Sequence, residues 1–70
     1  MSVSLAAVMR IINEKHQIKL PELPQLRQKA IQVAHEHGLE PGDVAHDILL
    51  MLDEGYTVAA ILALEFEYED

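Results

Sequence analysis

The stretch PELPQLRQKAIQVAHEHG, residues 21–38, decides the fold. Two prolines open it and a glycine closes it. Proline is tolerated in the first turn of a helix, where N–H groups have no intrahelical partner. Glycine suits the left-handed residue just past the end. Between them Leu23, Leu26, Ala30, Val33, Ala34 and His37 fall on one face, and Gln25, Gln28, Lys29, Gln32 and Glu36 on the other. That is the period of an amphipathic helix, predicted here over residues 22–37.

The neighbouring segments read the same way. Upstream, Leu5, Val8, Met9, Ile12 and His16 recur at helical spacing, with Arg10, Asn13 and Glu14 opposite and Ile11 off the stripe. They predict a helix over 3–16, capped by Ser2 or Ser4. Downstream, Pro41 suits a first helical position and Asp43 a first turn. Val44, Ala45, Ile48, Leu49, Met51 and Leu52 then form a wide apolar arc, predicting a helix over 41–54. Leu50 falls outside that arc, among Asp43, His46, Asp47 and Glu54.

The fourth segment starts at Thr57, a good N-cap, and is apolar on every side from Val58 to Leu64. A helix of that kind is buried all round or shared between subunits. Its end carries two patterns. Leu62, Leu64, Phe66 and Tyr68 alternate with Ala63, Glu65, Glu67 and Glu69, the period of two that marks a strand. A lone strand needs a partner from a second chain. A helix to about Leu64 or Phe66, taken as 57–66 and followed by a frayed acidic tail, is therefore preferred over a strand, with an extended tail as the alternative. The fold class is all-α: a compact bundle of about four short helices in one domain over residues 1–70. Leu5, Val8, Ile12, Leu26, Val33, Ile48, Leu52 and Ile61 are the expected core.

The chain has 70 residues and half of them are apolar, with no cysteine. Disulfides and thiolate zinc sites are thereby excluded. No run reaches the roughly 18 uncharged apolar residues of a membrane span. The N-terminus lacks the basic start of a signal peptide, so a cytoplasmic protein without membrane contact is expected. Charge is uneven. All five basic residues (Arg10, Lys15, Lys19, Arg27, Lys29) lie in the first 29 positions, opposed there only by Glu14 and Glu22. Ten acids follow with no Lys or Arg among them, and the formal net charge is −7.

Catalytic chemistry finds little to work with. The hydroxyls besides tyrosine are Ser2, Ser4 and Thr57, two at the terminus and one at a cap, so common covalent nucleophiles are nearly absent. The three glycines, Gly38, Gly42 and Gly55, are isolated and read as helix ends or turns rather than a phosphate-cradling loop. His35 and His37 are two apart on a helix and point to opposite faces. Asp43 with Asp47 or His46 has chelating spacing but no further ligand nearby. His16 and His37 each end a helix, where a protonated ring is favoured by the dipole. Neither an enzyme nor a metal or other cofactor is expected.

The stretch Leu49-Leu50-Met51-Leu52-Asp53-Glu54-Gly55-Tyr56-Thr57-Val58-Ala59-Ala60-Ile61-Leu62 resembles the first two helices of a helix-turn-helix, where a Gly-x-Ser/Thr turn precedes an apolar residue and an Ile. The resemblance implies a degenerate nucleic-acid-binding protein. It covers about a fifth of the chain. No recognition helix follows, and the terminal acids would repel phosphates.

The leading expectation is a small acidic protein-interaction module: an adaptor, inhibitor or regulatory subunit acting by binding. Its partner-binding residues are expected to be Asp43, Asp47, Leu50, Glu54, Leu64, Glu65, Phe66, Glu67, Tyr68 and Glu69. The partner is a protein with a basic surface. Surplus apolar area on the third and fourth helices also predicts self-association, most simply a two-fold homodimer.

Overall fold

A computed structural model describes residues 3–69; Ser2, the alternative cap, and Asp70 of the tail lie outside them. The elements are α1 (Leu5–His16), α2 (Glu22–His37), α3 (Pro41–Asp53) and α4 (Val58–Ala63), with no strand among the described residues. The chain is an all-α bundle, and none of these helices is long and apolar enough to cross a membrane.

Local chemistry sets each boundary. The Ser4 hydroxyl accepts from the Ala7 N–H at 3.3 Å and starts α1 two residues later than expected. α1 ends at Gln17, which takes the left-handed conformation at φ 49° without being glycine. α2 has the predicted bounds. Gly38 closes it at φ 67°, and the Leu39 N–H reaches back to the Ala34 carbonyl at 2.8 Å. Thr57 caps α4 by accepting from the Ala60 N–H at 3.0 Å.

α1 and α3 run parallel. Their N-terminal ends meet where Gly42 packs on the Val3–Leu5 backbone, and their C-terminal ends meet where His16 bonds Asp53. α2 folds back along α3 through the short 38–40 connection. The core joins Val8, Met9 and Ile12 of α1 to Leu26, Ala30, Val33 and Ala34 of α2 and to Val44, Ala45, Ile48, Leu49 and Leu52 of α3. Val58 and Ile61 of α4 complete it, with Phe66 beyond. Of the expected core residues only Leu5 falls short. It lies in the first turn of α1, where one side opens to water, and is half-buried.

The main corrections concern the C-terminus. α4 stops at Ala63, three residues before the predicted end, and Leu64 is already extended at φ −73°, ψ 137°. The outward positions of α4 are Ala59, Ala60 and Ala63. The helix therefore needs no second subunit to hide it, because alanine exposes little apolar area. The period-two pattern is also realised within one chain. Residues 64–69 form a strap in the groove between α2 and α3. Phe66 is buried and Tyr68 half-buried, while Glu65, Glu67 and Glu69 are exposed. After Leu64, whose N–H donates to the Ile61 carbonyl, no strap residue makes a main-chain hydrogen bond among the described residues. Side chains hold it.

Candidate functional site

The outward side of α3 is built by simple spacing. Val44, Ala45, Ile48, Leu49 and Leu52 are buried, so Asp43, His46, Leu50 and Glu54, on the opposite arc of the wheel, face water. Asp43, Asp47, Leu50 and Glu54 follow one another at intervals of four, three and four. They form a stripe about 16 Å long. Leu50 at its middle is 46% exposed.

The strap lies against one edge of this stripe. The Tyr68 hydroxyl donates to Asp47 Oδ2 at 2.8 Å, and Asp47 and Met51 border Leu64, Phe66 and Tyr68. On the α2 side the His37 ring meets the Tyr68 ring edge-on at 5.2 Å. Lys29 donates to the Leu62 carbonyl at 3.2 Å and lies 5.4 Å above the Phe66 ring centroid. A cation at a helix C-terminus and over an aromatic face is favoured on both counts. Partial burial, and then the Asp47 carboxylate, push the Tyr68 phenol well above its ordinary value, so it stays a neutral donor.

The structure thus joins the sequence-predicted residues into one surface and divides their roles. Asp43, Leu50, Glu54, Leu64, Glu65, Glu67 and Glu69 are exposed. Phe66 is a core residue, 8% exposed, and Tyr68 and Asp47 are engaged with each other. Phe66 therefore anchors the strap from inside and offers nothing to a partner, a correction to its expected place at the interface. The signal for that was present. In an alternating segment one parity turns inward, and here the even one does.

Few of the carboxylates in this face are paired, and Lys29 is the cation that borders its strap side. Among the described residues the ion pairs all fall on Asp53, which receives Lys15 at 3.0 Å and His16 at 2.8 Å. Hydrogen bonds from Lys15 first and His16 second hold the Asp53 carboxyl below its ordinary value. Asp43, Asp47, Glu54, Glu65, Glu67 and Glu69 make no ion pair among the described residues. His16 is accordingly an inter-helix contact more than a cap.

Other chemistry is sparse. The hydroxyls of Ser4 and Thr57 serve as caps. Among the described residues no three His, Asp or Glu side chains converge as a metal site would require. An open cleft of about 560 Å³ between α2 and the strap is lined by side chains of mixed charge, including Lys29, Glu36, His37 and Glu65. The helix-turn-helix likeness gains nothing: α4 has six residues and turns only alanines outward. Arg27 and Lys29 lie on opposite flanks of α2, one facing Met9 and the other Phe66.

No family model matches the chain, and neither a curated protein nor a solved structure matches it.

Proposed function

We propose that this chain is a protein-interaction module, an adaptor, inhibitor or regulatory subunit whose docking surface is the acidic face of α3 and the strap. The observation that carries the proposal is the joining of Asp43, Leu50 and Glu54 to Leu64, Glu65, Glu67 and Glu69 in one surface whose carboxylates make no ion pair among the described residues. Two exposed leucines inside a carboxylate rim have the pattern of an interface core within a polar border. The complementary partner is a protein surface with an apolar centre ringed by Lys or Arg. Charge of this kind chiefly sets specificity and association rate, and the apolar centre sets residence time.

The test uses the tagged full chain in native extract, with mass-spectrometric identification of what it retains. Each retained protein is then purified and re-bound. A partner is expected whose association rate falls as salt rises. Its binding should weaken with Asp43→Asn and Glu54→Gln, and its dissociation should quicken with Leu50→Ser. Retention unaffected by all three substitutions, or no retained protein above background, would overturn the proposal.

A further inference from the structure

A second incomplete surface lies between α1 and the start of α2. A notch of about 240 Å³ opens there, lined by Met9, Leu20, Leu23, Pro24 and Arg27. Its lining is almost wholly apolar. Leu20, in the connection between the two helices, is 79% exposed, the largest value for any bulky apolar side chain among the described residues. An exposed leucine beside an open apolar notch is surface that lacks a cover. The cations here are Arg27 in the lining and Lys19 next to Leu20. Both are exposed, and neither makes an ion pair among the described residues.

The acidic face is the complement of this notch in charge and in apolar content. Leu64, 38% exposed, begins the strap at the edge of that face, with Glu65 and Glu67 following it. We propose that the two surfaces bind each other between copies of this chain: Leu64 of one copy enters the notch of the next, and Glu65 and Glu67 meet Lys19 and Arg27. The inference rests on the acidic face being a docking surface.

The placement of the two surfaces dictates the symmetry. The buried side of α3 points toward α1 and α2, so its acidic stripe points away from them. The notch lies between α1 and α2, and no residue of α3, α4 or the strap lines it. Two unlike surfaces that share no residue make a heterologous contact, which repeats head to tail into a ring or an open chain in place of the self-complementary patch of a two-fold pair. Each copy carries a formal charge of −7, and the resulting repulsion keeps the contact weak and concentration-dependent.

Sedimentation equilibrium of the full chain tests this. The weight-average mass is expected to climb with concentration past that of a dimer. Arg27→Glu spoils the notch, and the double variant Glu65→Lys, Glu67→Lys spoils the face. All three positions are exposed, and circular dichroism checks that both variants fold. Each alone should associate at least tenfold more weakly than the parent chain. Their equimolar mixture keeps one intact notch and one intact face, and should stop at a 1:1 pair. A parent chain that stays monomeric, a parent mass that levels at two protomers, or variants that associate like the parent would each overturn the inference. Arg27→Glu retains the acidic face, so partner capture by this variant is scored separately. Capture without self-association removes this inference alone, and self-association without capture removes the partner reading alone.

Discussion

Replacing Gly42 with alanine should destabilise the bundle, although alanine is the better helix former. Gly42 lies in the first turn of α3 and is buried. A Cβ built there would sit 1.6 Å from the Val3 carbonyl oxygen, 2.6 Å from its carbon and 3.1 Å from the Leu5 nitrogen. All three atoms are main chain, so no rotamer change relieves the clash. The start of α1 has to lift from α3 by on the order of 1.5 Å, and Leu5 and Val8 lose packing with it. Overpacking of this kind costs about 1–3 kcal/mol. The helix-propensity gain from Gly to Ala returns at most about 1 kcal/mol. A main-chain clash this close belongs in the upper half of the overpacking range, about 2–3 kcal/mol, so the expected net loss is about 1–2 kcal/mol, from a total that a chain of this length places at roughly 4–10 kcal/mol. The melting temperature should fall by roughly 4–16 °C. Urea unfolding followed by far-ultraviolet circular dichroism measures it, and the midpoint should move without a change in slope. Gly38→Ala is the control. Gly38 has φ 67° and no atom within 4 Å of an added Cβ, so its cost is the left-handed backbone alone, about 1 kcal/mol. A Gly42→Ala variant as stable as the parent would refute the close approach of α1 to α3.

Three further outcomes follow from the same contacts. Gln17→Gly should stabilise by about 0.5–1 kcal/mol in the same urea assay, because the relief of a left-handed residue exceeds the added unfolded-state freedom. Phe66→Ala should cost about 3 kcal/mol and expose the α2–α3 groove, seen as dye binding and faster amide exchange at Val33 and Met51. Asp53 should make stability depend on acid. Its folded carboxyl titrates below the ordinary value of 3.8, so the unfolded chain binds the proton first. The contribution is full above that value and is lost as pH falls through the folded one. The stability difference between the parent and Asp53→Asn should therefore narrow across that acid range and be constant above it.

The three long helices were legible because their boundaries rest on local chemistry. Pro21, Gly38 and Pro41 act on their own backbone, and the stripe of α2 needs no knowledge of what it packs against. Where tertiary contact decides, the sequence misled. Gly42 looks like turn glycine, yet its lack of a side chain serves a backbone from the other end of the chain. Gln17 ends α1 in a conformation that glycine would normally mark, so no residue type announced it. Val58 to Leu64 read as apolar on all sides because alanine counts as apolar, whereas Ala59, Ala60 and Ala63 are small enough to face water at little cost. The period of two after Leu62 was a true signal of extended chain. The missing information was that a groove of the same molecule, rather than a second strand, receives it. As for the candidate face, Asp43, Leu50 and Glu54 were legible from the wheel. Their joining to the strap depends on Tyr68 reaching Asp47, a contact across 21 positions that no pattern contains.

The strap has two sides, and experiments that remove it whole will confuse them. A chain of this length buries little surface and has no disulfide to restrain it. Phe66 and Tyr68 close the groove between α2 and α3, so cutting after Leu64 should unfold part of the bundle as well as remove the acids. Any loss of binding would then be ambiguous. Substituting Glu65, Glu67 and Glu69 by glutamine separates the two sides. Their side chains are exposed and have no ion-pair partner among the described residues. Three fewer like charges next to Asp47 should leave stability within about 0.5 kcal/mol of the parent, or slightly raise it. Binding of a basic partner should meanwhile slow in its association rate and lose most of its salt dependence. If the triple variant instead unfolds at markedly lower urea, the outward carboxylates help hold the strap in place. The division into an inner anchoring side and an outer docking side would then be wrong.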